Sequence, residues 1–257
     1  MQAERHFITV DMGKIATYIN RGTSDKTPII FLHGVYFDHH MWDEYLEGII
    51  DRTIICIDMP FHGESKTIQN RNWNLHDCAI MLNQLLDRLN IEKVIAVGHS
   101  WGSMTILRSA HFAPERFESI LLCNMPFQES SKGRKLAFKF QHPLLAFRRF
   151  YIKQAGKALF GRYSLIKNPE LMNYLMRTMY LLTANEIKHI DKAVIIDAKD
   201  TSDLLSNLAI PTIAIKGEDD YVPIPPHIID VRIIKGGHIS PLENIEEVQS
   251  SIQYLLT

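Results

Sequence analysis

The sequence predicts an α/β protein built on a mostly parallel, eight-stranded, doubly wound sheet, with a block of helices inserted after the sixth strand. Three observations carry this reading. Eight short runs rich in β-branched residues recur along the 257 residues. From Ile29 onward these runs are nearly continuously apolar, the pattern of strands covered on both faces. Between the later runs lie stretches with apolar residues spaced by 3 and 4, as crossover helices require. At 46% hydrophobic and 22% charged, the composition is that of an ordinary globular chain able to bury a full core.

Taken in order, the runs at 6–11 and 14–20 are separated only by Met12-Gly13 and predict an antiparallel hairpin at one edge. Runs at 28–33 and 53–58 follow. Leu75, Cys78, Ala79, Leu82, Leu85, Leu86 and Leu89 then mark one apolar helical stripe. The run at 93–99 leads into a helical stretch that ends near Phe112, and 119–124 is the sixth strand. From Phe127 to Ser206 no strand-like run occurs, only helical pattern punctuated at His142-Pro143, Gly161 and Asn168-Pro169. A stretch of about 80 residues is too long for a loop. The division is therefore a core of 1–126 and 207–257 with a helical cap of 127–206. Runs at 211–216 and 230–235 complete the sheet. Only 221–229 separate them, and Pro223, Pro225 and Pro226 forbid a regular helix there, so one flank of the sheet is expected bare and open to a partner chain. Ile245, Val248, Ile252, Leu255 and Leu256 mark the last helix, which Asn244 and Glu247 begin.

A net charge of −1 offers no global basic field, so nucleic acid is not an expected partner. Cys56, Cys78 and Cys123 are too scattered for a disulfide framework or a zinc site. No run of about 18 apolar residues could span a membrane. The opening Met-Gln-Ala-Glu-Arg-His lacks a charged-then-apolar signal, and the expected location is cytoplasmic. His39 and His40 are set aside as metal ligands, because adjacent residues of a regular element point apart. No P-loop or dinucleotide glycine fingerprint is present, and no cofactor or metal is expected.

The strongest local signal is Gly98-His99-Ser100-Trp101-Gly102 between a strand and a helix. A reversal this sharp leaves no room for side chains two positions either side of the serine and holds its hydroxyl exposed. Serine needs a base, oriented in turn by an acid. His238 follows the last strand and Gly236-Gly237, on the sheet edge where Ser100 also lies. Glu218, Asp219 and Asp220 follow the seventh strand, and one of them can reach the imidazole, while mutual repulsion disfavours burying more than one. Chain order is Ser, Asp, His.

With these residues in view, the sequence resembles the α/β-hydrolase superfamily over nearly the whole chain outside the insertion. His33-Gly34 matches its oxyanion-loop motif. The run from Asp58 to Ser65 resembles its Asp-x-x-Gly-x-Gly-x-Ser loop with one glycine lost and His62 in the middle. Gly237-His238 with Glu243 matches its histidine motif. The family's glycine spacing selects Asp220 as the acid, whereas its proline spacing favours Asp219; the assignment is Asp220. The resemblance implies a triad of Ser100, His238 and Asp220, an oxyanion hole of the backbone N–H groups of Val35 and Trp101, and hydrolysis of a carboxylic ester, lactone or thioester through an acyl-enzyme. Carbon–carbon hydrolysis, acyl transfer or small-molecule reception on the same fold are the alternatives. The Ser100-Trp101-Gly102-Ser103 run is also similar to prolyl aminopeptidases, whose acidic caps hold an amine.

This insertion is not acidic. Residues 128–170 carry ten basic side chains against Glu129 and Glu170, a charge of +8 that leaves −9 on the remainder. Seven aromatics accompany them: Phe138, Phe140, Phe147, Phe150, Tyr151, Phe160 and Tyr163. One expectation is a cap with aromatics inward and charges solvated; the other is recognition of an anionic or lipid-like acyl substrate. Candidate substrate contacts are His33, Gly34, His99, Phe127, Phe147 and Phe150, with Arg148 and Arg149 as the cations beside the last two.

Overall fold

The computed structural model describes residues 3–228 and 230–257. An eight-stranded sheet runs in the order β1-β2-β4-β3-β5-β6-β7-β8. Strand β1 (Glu4–Val10) pairs antiparallel with β2 (Gly13–Asn20) across the expected tight turn, Val10 opposite Gly13, and β2 is antiparallel to β4 (Arg52–Ile57). Strands β3 (Lys26–Leu32), β4, β5 (Val94–His99), β6 (Phe117–Cys123), β7 (Thr212–Gly217) and β8 (Asp230–Ile234) are mutually parallel. Ile29, Ile30, Phe31, Leu32, Val94, Ile95, Ala96 and Val97 are completely buried. Continuous apolar runs thus mark strands covered on both faces, as their pattern requires.

Helix α1 (Leu75–Arg88) buries the predicted stripe and begins at a capping box between Asn74 and Asp77. Helix α2 (Trp101–Phe112) follows β5 with no intervening loop. Between β6 and β7 the described chain is helical: α3 (Lys132–Gln141), a 3-10 turn His142–Phe147, α4 (Arg148–Leu159), α5 (Glu170–Tyr180), α6 (Ala184–Ile190) and a π-helical turn Asp191–Ile196. The predicted punctuation falls at element ends, where proline cannot continue a helix. Helix α3 contains no buried residue, and Arg134, Phe138 and Gln141 on it line the cavity described below. Residues 221–228 form no helix, and Ile233 on β8 is exposed. Helix α7 (Ile245–Leu256) closes the chain, with Asn244 accepting the Glu247 N–H.

One expectation fails here. His39 and His40 lie in a 3-10 turn with ring centroids 4.0 Å apart, side by side rather than pointing apart. A carboxylate for each ring, Asp58 for His39 and Asp43 for His40, holds them in this arrangement.

Candidate active site

Strand β5 delivers Ser100 to the sheet edge at φ 48°, ψ −106°, a sparsely populated conformation of the kind that clusters at active sites. A Cβ on Gly98 would stand 2.5 Å from the Ser103 nitrogen, and one on Gly102 would stand 2.2 Å from the Leu32 oxygen. Either would push the turn open, so the two glycines make the reversal possible. The Ser100 N–H donates to the Cys123 carbonyl at 2.8 Å, which ties the turn to β6.

The loop after β8 brings in His238. Its N–H donates to the Leu159 carbonyl at 2.7 Å, and its own carbonyl accepts from His99 Nε2 at 2.7 Å. Glu243 accepts from the N–H groups of Gly237 and Ile239 at 3.0 Å, bracing the same loop. The His238 Nδ1–H donates to Asp220 Oδ1 at 2.9 Å, which leaves Nε2 to accept from the Ser100 hydroxyl at 2.9 Å. Asp220 accepts further bonds from Asn124 Nδ2 at 2.8 Å and the Val222 N–H at 3.1 Å. Burial by itself would raise the Asp220 carboxyl; the facing His238 and these donors outweigh it and hold the group below its ordinary value. Asp219 instead accepts the Arg162 N–H at 2.9 Å. The structure therefore brings Asp220, and not Asp219, to the imidazole.

Val35 and Ser100 both line a cavity of about 740 Å³. Neither the Val35 nor the Trp101 N–H donates to a protein acceptor among the described residues, so both are free to receive a developing oxyanion. Two buried histidines hold the loop that carries Val35. His33 donates through Nδ1 to the Gly34 carbonyl at 2.7 Å and accepts from the Met59 N–H at 2.9 Å. His62 donates to the Pro60 carbonyl at 3.0 Å and accepts the Tyr36 N–H at 2.9 Å. Tyr36 stands in the left-handed region at φ 72°. Its carbonyl accepts from the Thr178 hydroxyl at 2.5 Å, and its own hydroxyl donates to the buried Asp191, which His142 and Tyr151 also approach. Inserted helices and the loop that carries Val35 are thus joined through one buried carboxylate.

A family model described as the alpha/beta hydrolase fold matches residues 27–244. The chain belongs to the α/β-hydrolase fold family. Solved structures of similar fold cover nearly the whole of it. A thermophilic esterase from Thermogutta terrifontis is 22% identical with a TM-score of 0.80, covering 100% of this chain and 98% of that one. An enol-lactonase from Burkholderia xenovorans is 16% identical with a TM-score of 0.84, covering 98% and 99%. The dihydrolipoyllysine-residue acetyltransferase component of the acetoin cleaving system of Pseudomonas putida is 25% identical over 249 residues, 93% of this chain and 66% of that one. Together with two epoxide hydrolases, the chain spans from 30% to 66% of the length of such curated relatives.

Within this hydrolase fold, none of the six candidate substrate contacts lines the cavity. His33 and His99 are buried and use ring nitrogens to hold loops, and Gly34 packs beneath the His99 ring. Phe127 is buried and its carbonyl accepts the Thr201 N–H at 2.8 Å. Phe147 and Phe150 are 70% and 51% exposed; both flank the start of α4, whose other face carries the packing residues Tyr151 and Ile152. Arg148 is not a free cation, since its guanidinium donates to the carbonyls of Met179 and Leu182 at the end of α5. The aromatics are split: Tyr151 and Phe160 are buried, Phe138 lines the cavity, and Phe140, Phe147, Phe150 and Tyr163 face outward.

Sequence reading also missed Tyr221. Its ring stacks on His238 at 4.6 Å and its hydroxyl lies 3.2 Å from Nε2. No pattern flagged it beyond adjacency to Asp220. Another departure from the family pattern, Phe61 in place of a glycine, stands at φ 70°. Its ring is buried against Trp73 and His189, packing that opposes the backbone strain.

His33, His62 and His99 are all held below their ordinary value of 6.5, first by burial, and His99 falls to about 3. The unfolded chain therefore takes up these protons before the folded one. Their contribution is present above pH 6.5 and is lost as pH falls toward the folded values, with His99 alone accounting for about 1.4 kcal/mol of the loss at pH 5.5. The urea midpoint is expected to drop markedly between pH 7.5 and 5.5. A midpoint that holds steady would mean these imidazoles already carry a proton in the fold.

Proposed function

We propose that this protein is a serine hydrolase of a carboxylic ester or related acyl compound, including a lactone or thioester. The observation that carries this is the unbroken Ser100–His238–Asp220 hydrogen-bond chain opening onto the 740 Å³ cavity. In this reading Ser100 Oγ attacks the carbonyl carbon while His238 Nε2 takes its proton. The tetrahedral oxyanion sits between the Val35 and Trp101 N–H groups. Collapse breaks the bond to the leaving alcohol or thiol, which receives the proton from His238. Water, deprotonated by the same imidazole, then releases the acid and restores Ser100. The helices of 127–206 act as a cap that shapes the acyl site. An esterase and an enol-lactonase among the structural neighbours are consistent with this chemistry.

The substrate is a small acyl compound rather than nucleic acid. Outward-facing Phe140, Phe147 and Phe150 beside Lys139, Arg148 and Arg149 favour, as a second source, an ester presented at an anionic lipid surface. Among the described residues no helix is long and apolar enough to cross a membrane. Acyl transfer and carbon–carbon hydrolysis would use the same serine, and a receptor of this fold would keep it with little turnover. A fluorophosphonate probe is expected to label Ser100. A panel of short, long-chain and vesicle-borne esters is then expected to show hydrolysis that continues over many turnovers. Labelling without turnover would turn the assignment to a receptor, and no labelling would remove the nucleophile.

A further inference from the structure

Two charged side chains line the cavity, Glu129 and Arg134. Glu129 is already paired with Lys135. Arg134 makes no salt bridge among the described residues; its guanidinium stands over the Tyr221 ring, Cζ 3.6 Å from the centroid. Tyr221 in turn stacks on His238, so the cation stands two stacked planes from the imidazole, within the space that Ser100 enters. Stacking occupies the faces of a guanidinium and leaves its N–H edges free. Those edges match the two oxygens of a carboxylate. Burial around Arg134 is partial, which makes such a pair worth more than one in open solvent. Gln141 and Gln154 line the same cavity and add neutral donors. One unpaired cation balances one negative charge, whereas a dianionic phosphate would leave a charge over beside Glu129.

We infer that Arg134 selects an ester whose acyl half carries a free carboxylate, binding that group while the ester carbonyl lies at Ser100. This rests on the hydrolase reading above and names its substrate class. It also moves the specificity of the basic segment from Arg148, which is tied to backbone carbonyls, to Arg134 on the cavity wall.

The test compares monoethyl glutarate with neutral ethyl pentanoate. Wild type is expected to favour the anionic ester in kcat/KM. Arg134→Gln is expected to lower the anionic-to-neutral ratio by about 10- to 100-fold, through KM, and Arg134→Lys is expected to recover part of it. Equal activity of the wild type on both esters, or a ratio unmoved by Arg134→Gln, would overturn the assignment and leave Arg134 as a latch on Tyr221. Binding of glutarate to Ser100→Ala, measured by calorimetry and lost on adding Arg134→Gln, reads the same contact without turnover. Absence of any ester hydrolysis with glutarate binding intact would sink the hydrolase reading alone. Hydrolysis of the neutral ester with no glutarate binding would sink only the role of Arg134.

Discussion

Ser100→Ala is expected to reduce hydrolysis of any ester that the wild type turns over by about 10⁶ in kcat, with little change in thermal stability. The loss is large because no other hydroxyl in the cavity combines an elbow conformation with an imidazole acceptor. The Tyr221 hydroxyl stands 3.2 Å from the same nitrogen, so His238 keeps a donor in the variant and no buried acceptor is orphaned. The elbow itself depends on Gly98 and Gly102, which are untouched. His238→Ala should be nearly as damaging, since nucleophile and base act as one unit. Steady-state kinetics beside a thermal melt decide the matter: a folded Ser100→Ala protein with most of its activity would end the proposed mechanism.

Asp220→Asn is expected to lower kcat by about 10⁴. In the present arrangement the carboxylate accepts from both His238 Nδ1 and Asn124 Nδ2. An asparagine must turn its own NH₂ group toward one of these donors. Facing His238, it forces the proton onto Nε2, where Ser100 can no longer give up its own. Facing Asn124, it sets donor against donor inside a buried site. Asp219→Asn should be mild, because its partner is the Arg162 backbone N–H and the amide oxygen can still accept. Measured kcat values in the reverse order would transfer the acid role to Asp219.

The architecture was legible because its signals are local. Continuous apolar strands, helical stripes at 3 and 4, and the two-residue hairpin each follow from backbone periodicity over a few positions. The glycine pattern around Ser100 states a steric requirement of a single turn, and His238 sits where its strand must end. Other features depend on which distant segments meet, and periodicity is silent about that. Two adjacent carboxylates satisfied competing spacings, and only the meeting of β6 and β7 through Asn124 placed Asp220 against the imidazole. The +8 of residues 128–170 was readable as composition, but helix packing sorted its members. It directed Arg148 into the carbonyls of α5, turned Phe147 and Phe150 outward, and left Arg134 on the cavity wall. Tyr36 and Asp191 lie 155 positions apart and meet only when the inserted helices settle over the loop that carries Val35. By itself the sequence determined the sheet, the elbow and the histidine at its edge, because hydrophobic period and turn sterics act within a few residues. Which side chains face the cavity was decided by tertiary packing, because orientation around a helix is set by whatever it is packed against.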